Sequence, residues 1–234
     1  MPEIVYEDNH LLIAVKPQGM LTQSDATGDK SLQDELKDYV KQKYAKPGAV
    51  YLGLVQRMDR PVGGLVAFAR TSKAASRLSE QLRAHRMERE YLAVVEGASL
   101  PDSAALRDSL QKNEATGSVT VAAADALGAQ EARLAYRVLA RDEQRDTALL
   151  HIKLETGRKH QIRVQLAHAG HPIVYDMRYG HGVAGKDIAL WGAVLRLTHP
   201  TTLEAMCFRS VPEGAAFAPY QRQINAFMEE AASE

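Results

Sequence analysis

Apolar and polar positions in the first third of the chain predict short strands and one exposed helix. Two strands are predicted within Glu3–Lys16, on either side of the polar turn Glu7–His10. Over Ser31–Tyr44 the apolar residues recur at helical spacing with charged residues between them, which predicts an amphipathic helix. The run Gly64–Ala69 is apolar throughout and therefore predicts a buried strand.

A second helix is predicted to follow that strand. Its N-cap is expected at Thr71 or Ser72, because a hydroxyl there can accept from the first unpaired amides of the helix. Its buried stripe is expected to consist of Ala75, Leu78 and Leu82. The basic residues between these positions are more typical of a solvated face than of a ligand site.

The middle of the chain is dominated by strand patterns. Glu90–Gly97 predicts a strand, since its β-branched and aromatic residues end at a glycine. Pro101–Gln130 has weak periodicity and is predicted to be an excursion with short strands, whereas Glu131–Leu139 and Thr147–Leu154 predict a strand pair. The predicted closing elements are two strands flanking the turn His199–Thr202 and a peripheral helix, Pro219–Met228.

A third helix is predicted to begin near Arg158 and to end at Ala169, because Gly170 is a typical C-terminal stop. On such a helix Lys159 and Arg163 stand at i and i+4 and share one face. The stretch would therefore display its basic side chains at regular positions.

Composition places the chain among folded proteins. Its 234 residues include 45% hydrophobic and 25% charged residues, so disorder is not expected. No run reaches the roughly 18 to 20 apolar residues that a membrane helix needs. The single cysteine, Cys207, cannot form an internal disulfide, and a reducing cytoplasm is the expected location.

Charge is unevenly distributed along the chain. The formal net charge is zero, although affinity for a phosphate backbone usually comes from clustered lysine and arginine. Basic residues concentrate over Arg57–Arg89 and again over Lys153–Arg163. These two stretches predict a local basic face on a neutral protein.

The stretch Val55–Arg70 has the composition of a site. It places the carboxylate of Asp59 between Arg57 and Arg60, and then turns through Pro61 and two glycines into the predicted strand. Neighbouring positive charge favours an ionised carboxylate. On these residues alone, however, a surface turn with a solvated Arg–Asp pair is the favoured interpretation.

The motifs change that interpretation. Q-R-M-D-R-P-V-G-G-L resembles the H-R-L-D-x-x-(T/V)-(S/G)-G-(L/V) signature of the RluA-type RNA pseudouridine synthases. Three more segments resemble motifs of that family in the same order: L-L-I-A-V-K-P-Q-G-M, E-R-E-Y-L-A-V-V-E-G and L-E-T-G-R-K-H-Q-I-R-V-Q-L-A-H-A-G-H-P-I-V-Y-D-M-R-Y-G. The resemblance extends from about Ile4 to Pro212.

The resemblance implies a single catalytic domain over residues 1–234, without an additional N-terminal RNA-binding module of the S4 type. It implies an α+β pseudouridine synthase fold, with a bent, mostly antiparallel mixed sheet and flanking helices around a central active-site cleft. The implied activity is the isomerisation of uridine to pseudouridine in ribosomal or transfer RNA. That reaction involves no redox change and no hydrolysis, so no cofactor is expected.

The resemblance also implies roles for individual residues. Asp59 is the expected catalytic carboxylate, Tyr91 is expected to stack on the target base, and Arg163 is expected to pair with Asp59. The residues assigned to base flipping and RNA binding are Arg57, Arg158, Lys159, His160 and Gln161, and those assigned to the pocket wall are Ile162 and Leu166.

Three positions depart from the family pattern. Gln56 replaces the usual His, Tyr175 replaces the usual Gly, and Trp191 stands where a His is usual. None of them is assigned to chemistry. They leave open which uridine is modified and how the Asp59 loop is packed.

Alternatives to the enzyme interpretation remain at this point. Metal binding is not expected, because the histidines between His160 and His181 lack the paired spacing of zinc ligands. A monomer without an obligatory protein partner is expected. A protein of this fold whose catalysis has lapsed would bind RNA only, and a glycoside or nucleoside hydrolase would usually need a second carboxylate.

Overall fold

The computed structural model describes residues 2–233, which divide into two compact units. The first unit contains the residues up to Glu88 together with Gly192–Ser210. The second unit contains Arg89–Trp191 and the residues from Val211 onward. The single domain expected over residues 1–234 stays a prediction, and its terminal residues 1 and 234 lie outside the described part.

The first unit contains an antiparallel sheet and two helices. Its strands follow the order β1-β2-β4-β10, with β3 beside β4 and β11 beside β10. The strands and helices predicted for this part of the chain are confirmed. Their bounds are β1 (Glu3–Glu7), β2 (Leu11–Lys16), α1 (Leu32–Lys43), β3 (Gly53–Leu54), β4 (Gly63–Ala69), α2 (Ser72–Arg83), β10 (Leu190–Thr198, in this unit from Gly192) and β11 (Ala205–Arg209).

Helix α1 begins at a reciprocal cap. The Ser31 side chain accepts from the Asp34 amide, and the Asp34 side chain accepts from the backbone of Ser31. One face of the helix buries Leu32, Leu36 and Val40, which belong to one apolar cluster with residues of β2 and β4. This burial supplies the main stabilisation of the helix, as expected for an amphipathic helix on a sheet.

Helix α2 begins after Thr71, whose side chain accepts from the Ala74 amide. The predicted stripe is wrong at two positions, because the fully buried residues are Ala74, Leu78 and Gln81. Gln81 accounts for the rotation of the buried face. Its side-chain amide donates to the Thr198 carbonyl at 2.7 Å, and its oxygen accepts from the Thr198 amide at 2.9 Å.

The second unit contains five strands, two α-helices and one 3-10 helix. Its strands follow the order β5-β9-β8-β6-β7, and the β5–β9, β9–β8, β8–β6 and β6–β7 pairs are antiparallel. The bounds are β5 (Glu88–Glu96, in this unit from Arg89), β6 (Ser103–Lys112), β7 (Val119–Ala122), β8 (Gln130–Asp142), β9 (Thr147–Leu154), α3 (Gln161–His168), the 3-10 helix Ala215–Tyr220 and α4 (Gln221–Ser233).

Two predicted elements of the second unit need correction. The excursion Pro101–Gln130 contains β6, which is 10 residues long and therefore not a short strand. The C-terminal helix begins at Gln221, later than predicted, because the residues around Pro219 form the 3-10 helix, and it extends to Ser233.

The start of α3 is also corrected. The helix begins at Gln161, since His160 adopts a left-handed conformation with φ of 54°. The Gln161 side chain accepts from the Arg158 amide at 3.0 Å and from the Thr156 hydroxyl at 2.8 Å, which folds the preceding residues into a turn. Lys159 therefore precedes the helix, and the prediction that it shares a helical face with Arg163 is wrong.

The end of α3 agrees with the prediction. Gly170 has a φ of +87°, and its amide donates to the Ala167 carbonyl at 3.1 Å. The His171 amide donates to the Leu166 carbonyl at 2.9 Å. This pair of hydrogen bonds is the Schellman arrangement that glycine favours at helix ends.

Together the helices and antiparallel strand pairs form an α+β protein, as predicted. Among residues 2–233, the structure contains no helix that combines the length and the apolar character needed to cross a bilayer.

Candidate active-site residues

The loop that carries Asp59 lies between β3 and β4 in the first unit. The Asp59 carbonyl accepts from the Val62 amide at 3.0 Å, which closes the turn predicted at Pro61. The Thr22 hydroxyl donates to the Met58 carbonyl at 2.8 Å and accepts from the Met58 amide at 3.2 Å. The residue before Asp59 is thus held on both sides, while the Asp59 side chain is partly exposed.

Lys16 holds this loop in place through its side-chain ammonium. In the β2–β4 pair, Lys16 lies opposite Gly64, so the end of β2 meets the end of the Asp59 loop. The Lys16 side chain is fully buried, and its ammonium donates to the carbonyls of Pro17, Met20 and Arg60 at 2.9, 2.7 and 3.0 Å. These bonds give the Lys-Pro-x-Gly motif a structural reason.

Lys16 also interacts electrostatically with Asp59 within the first unit. Burial lowers the pKa of Lys16 to about 7, the negative charge of Asp59 opposes this decrease, and the positive charge of Arg60 adds to it. The attraction between Lys16 and Asp59 is mutual. The sequence motif contained Lys16, but its role toward Asp59 was missed because the two residues are 43 positions apart.

The two arginines that flank Asp59 have different environments. Arg57 is exposed, as a residue that contacts RNA would need to be. The Arg60 guanidinium donates to the Gly19 carbonyl at 3.0 Å and pairs with Asp29 at 2.8 Å. Arg60 therefore binds the neighbouring turn, and the sequence-based idea that it serves Asp59 directly gains no support from these contacts.

The structure gives a steric reason for the glycine at position 64 of the Asp59 signature. Its φ is +122°, and a Cβ atom there would lie 2.4 Å from both the nitrogen and the oxygen of Gly192. Backbone atoms cannot yield to such an overlap. Any side chain at this position would push apart the two strands that support the Asp59 loop.

Tyr91 lies on β5 in the second unit, opposite Ile152 of β9. Its side chain is 9% exposed, so the ring is almost entirely enclosed. Successive strand residues point to opposite faces. Tyr91 thus lies on the opposite sheet face from Glu90 and Leu92, and its stacking on a target base stays a prediction.

Arg163 lies on α3 and forms a two-pronged ion pair with Asp176. Its Nε donates to Oδ2 at 2.8 Å, and its Nη2 donates to Oδ1 at 2.7 Å. Asp176 is fully buried, and its Oδ1 also accepts from the amides of Arg178 and Tyr179 at 2.8 and 3.2 Å. These donors outweigh the effect of burial and lower the pKa of Asp176.

Asp176 was not assigned a role from the sequence, although it belongs to the matching motif. The segment before it runs beside β5, with Ile173 paired to Val95. Tyr175 then adopts a φ of +63°, a conformation that suits the glycine usual at this family position. This departure conserves the turn that delivers Asp176, at the cost of backbone strain in Tyr175.

Tyr179 covers the face of the same guanidinium. The ring centroid lies 5.1 Å from Cζ of Arg163. Its hydroxyl lies 2.6 Å from Nδ1 of His160 and accepts from the Val119 amide at 3.0 Å. His160 was assigned to RNA binding from the sequence, and that role stays a prediction beside its contact with Tyr179.

The other predicted RNA contacts have mixed exposure. Arg158 and Lys159 are exposed, and they donate to the carbonyls of Glu131 and Gly117 at 2.9 Å each. Gln161 is buried, and its amide nitrogen donates to the Arg133 carbonyl at 2.9 Å. Gln161 thus has a clear role in folding the turn before α3, and its contact with RNA stays a prediction.

The predicted pocket-wall residues Ile162 and Leu166 are 5% and 1% exposed, and both lie on α3. Their place in a dry pocket stays a prediction. Of the two remaining departures, Trp191 is enclosed. Gln56 is buried, its nitrogen lies 3.4 Å from the Leu65 carbonyl, and within residues 2–233 its oxygen has no hydrogen-bond partner.

A cavity of about 360 Å³ lies on the opposite sheet face from Tyr91. It is lined by a buried pair, Glu90 and His151, whose Oε2 and Nε2 lie 2.5 Å apart. Arg137 donates to Nδ1 of that histidine at 3.1 Å. The cluster is internally bonded and does not belong with Tyr91. No group suited to a metal ion occurs among residues 2–233.

Comparisons with known proteins agree with these motifs. A family model described as RNA pseudouridylate synthase matches residues 10–168. Ribosomal large subunit pseudouridine synthase C of Yersinia pestis is 32% identical over 87% of this chain and 63% of its own. The chain thus spans less than two thirds of that relative. The tRNA pseudouridine synthase C of Vibrio cholerae serotype O1 is 31% identical over 90% of this chain and 91% of its own.

A solved structure agrees with the fold. Human RNA Pseudouridylate Synthase Domain Containing 4 has a TM-score of 0.75 at 20% identity, and the match covers 95% of this chain and 93% of the human chain. It shows the pseudouridine synthase fold, as predicted. The family model covers more than half of this sequence. The chain therefore belongs to the RNA pseudouridylate synthase family.

Proposed function

We propose that this protein is an RNA pseudouridine synthase that isomerises one or more uridines of ribosomal or transfer RNA. The observation that carries the proposal is the family match over residues 10–168, a range that contains Asp59, Tyr91 and Arg163. One relative is named for the ribosomal large subunit and another for tRNA. These names support a structured RNA as the substrate class.

The reaction breaks the N1–C1′ bond of uridine, turns the uracil and forms a C5–C1′ bond. The hydrogen on C5 leaves as a proton, N1 gains a proton, and no electrons are exchanged with another molecule. Uracil leaves as a stabilised anion, so one carboxylate can suffice where a glycosidase needs two. Asp59 either attacks C1′ or removes the proton from C2′.

Both roles require an ionised Asp59. Lys16 supplies attraction from the same unit. We propose Arg163 as the second cation, as the family resemblance implies. A guanidinium has five N–H groups, and Asp176 accepts from two of those of Arg163, so the group has enough donors to serve two carboxylates. Arg163→Ala is expected to reduce turnover strongly, and turnover near wild type would contradict this assignment.

A uridine stacked in folded RNA has to leave its stack before it can meet Asp59, at a cost of a few kcal/mol. We propose that Arg57 fills the vacated gap, because it is exposed on the Asp59 loop and its planar group can stack on bases. Tyr91 would receive the flipped uracil, and Arg158 and Lys159 would contact phosphates. Arg57→Ala is then expected to reduce RNA modification without changing the melting temperature.

We further propose that the two units act together as one catalytic domain. The protein is proposed to work as a monomer without a cofactor and in a reducing cytoplasm. The exposed thiol of Cys207, the only cysteine of the sequence, is compatible with that compartment.

The experiment measures tritium release from bulk RNA that is labelled at C5 of uracil and taken from cells lacking this protein. Wild type and Asp59→Asn are compared at equal RNA binding. Release by wild type alone supports the proposal, and fractionation of the RNA then identifies the target. RNA binding without release by either protein would overturn it in favour of a lapsed enzyme. Release of free uracil would indicate a hydrolase.

A further inference from the structure

The guanidinium of Arg163 is restrained on one edge by Asp176. The two hydrogen bonds at 2.7 and 2.8 Å fix the distance and the in-plane direction of the group. They resist rocking of the guanidinium plane much less, because each hydrogen bond tolerates a range of angles. A group on the face of the guanidinium is needed to hold the plane.

The ring of Tyr179 occupies that face. Its centroid lies 5.1 Å from Cζ of Arg163, within the range of a cation–π interaction. The ring also packs against a buried cluster that includes Leu110, Val119 and Val164. The ring is therefore packed against this cluster as well as against the guanidinium, and it can act as a fixed wall.

The hydroxyl of Tyr179 adds a second restraint. It accepts from the Val119 amide at the first residue of β7, and it lies 2.6 Å from Nδ1 of His160, the residue before α3. His160 is held in a left-handed conformation with φ of 54°, which is unfavourable for a residue with a side chain. The Tyr179 contact stabilises this conformation and thereby the position of the helix that carries Arg163.

We propose that Tyr179 is a positioning residue for the reaction, whose ring holds the plane of the Arg163 guanidinium and whose hydroxyl fixes the start of α3. This inference rests on the proposed function, in which Arg163 pairs with Asp59. It assigns the two parts of one side chain to separable tasks. The ring sets the orientation of the Arg163 guanidinium. The hydroxyl links the start of α3 to the β6–β7 hairpin through the Val119 amide.

The first test compares Tyr179→Leu, which removes the ring and the hydroxyl, with Tyr179→Phe, which removes only the hydroxyl. Tyr220→Phe is the matched control, since it also removes a tyrosine hydroxyl from the second unit, one that lies 2.7 Å from the hydroxyl of Thr147. Maximal tritium-release rate and the RNA concentration for half-maximal rate are measured for each, with the melting temperature.

We expect Tyr179→Leu to lower the maximal rate about 10- to 100-fold, because misplacement of a catalytic group has effects of this size. The half-saturating RNA concentration should stay within about twofold, since Tyr179 is not a proposed RNA contact. Tyr179→Phe should keep most of the wild-type maximal rate, and Tyr220→Phe should have the same maximal rate as wild type. A maximal rate within about twofold of wild type in Tyr179→Leu would overturn the proposal.

A second readout does not depend on activity. The Nε–H proton of Arg163 in the RNA-free protein should carry a ring-current shift from Tyr179, which can be measured by NMR. Tyr179→Phe is expected to keep this shift, and Tyr179→Leu to lose it without loss of the Asp176 hydrogen bonds. An unchanged shift in Tyr179→Leu would contradict the proposal. If wild type releases no tritium while the shift behaves as expected, the proposed function fails and the Tyr179–Arg163 geometry stands.

Discussion

Lys16 in the first unit and Asp176 in the second are both fully buried charges, but their partners differ. Lys16 donates to three backbone carbonyls, which are dipoles without net charge. Asp176 accepts from two backbone amides and from the full positive charge of Arg163. The pKa of each is lowered, which disfavours the charged form of Lys16 and favours the charged form of Asp176.

The comparison teaches that a counter-ion and a set of dipoles are not equivalent substitutes for water. Asp176 stays ionised throughout the neutral range, so the position of Arg163 is independent of pH there. Lys16 has a pKa of about 7 and therefore changes charge within that range. The charge of the residue that supports the Asp59 loop therefore varies with pH in the neutral range, whereas the charge of the residue that holds Arg163 does not.

The largest expected effect comes from removing the charge of Asp176. Asp176→Asn removes the Asp176 carboxylate from the buried Arg163 guanidinium, and breaking a buried ion pair costs about 3 to 5 kcal/mol. The free energy of unfolding, measured by urea denaturation, should fall by about that amount. Glu230→Gln is the control, because its ion pair with Arg137 is exposed and should contribute less than about 1 kcal/mol. Equal effects of the two variants would invalidate the comparison.

The next effect concerns Lys16. Lys16→Met keeps the length of the side chain but leaves the carbonyls of Pro17, Met20 and Arg60 without their donor, which should cost about 1 to 3 kcal/mol. Urea denaturation at pH 7 measures the loss. Lys73→Met on the exposed face of α2 controls for removal of a lysine and should have no measurable effect. A Lys16→Met variant as stable as wild type would show that the carbonyls find other donors.

The third effect separates the two charges by their pH dependence. The pKa of Lys16 is lowered to about 7 from 10.5, so between these values the unfolded chain binds more protons than the folded protein. The contribution of Lys16 to stability therefore increases with pH in this window. Relative to Lys16→Met, the wild type should gain about 2 kcal/mol in unfolding free energy from pH 7 to pH 9.

Asp176 gives a different expectation in the same window, because its contribution to stability should not change with pH there. Its pKa is lowered, so its contribution is present above the unfolded value near 3.8 and is lost only as the pH falls through the folded value. The difference between wild type and Asp176→Asn should thus be constant between pH 7 and pH 9. A slope in this difference would mean that Asp176 titrates in the neutral range.

The smallest effect concerns the turn that delivers Asp176. Tyr175 has a φ of +63°, which costs about 1 to 2 kcal/mol for a residue with a side chain. Tyr175→Gly should recover about 1 kcal/mol or less, because glycine also gains entropy in the unfolded chain. Tyr175→Ala keeps the strain and loses the ring, so it should be less stable than Tyr175→Gly in the same denaturation assay. A Tyr175→Gly variant that is less stable than wild type would show that the contacts of the ring outweigh the strain.

Much of the fold followed from local patterns, because strands and helices in this chain are punctuated by residues with strong local preferences. Thr71 caps α2 at one of the two predicted positions, and Gly170 ends α3 as predicted. The errors arose where a polar side chain acts through tertiary contacts. Gln81 rotates the buried face of α2, and Gln161 delays the start of α3, and neither effect is visible in periodicity.

The same distinction between local patterns and tertiary contacts applies to the candidate site. The motifs identified Asp59, Tyr91 and Arg163 as candidates, since those residues stand in long matching segments. The support around them could not be predicted, because Lys16 and Asp176 reach their partners across the sheet or across a turn. Charge neighbours along the chain were a poor guide, as Arg60 shows by binding Asp29.

Gly64 and Gly19 differ in the substitutions that they can tolerate. Both have positive φ, but a Cβ at Gly19 would meet nothing within 4 Å, whereas one at Gly64 would overlap the backbone of Gly192. Asparagine, which tolerates the left-handed region, is therefore an acceptable replacement at position 19. Position 19 can therefore vary during evolution. Position 64 accepts only glycine for as long as β4 and β10 stay in contact.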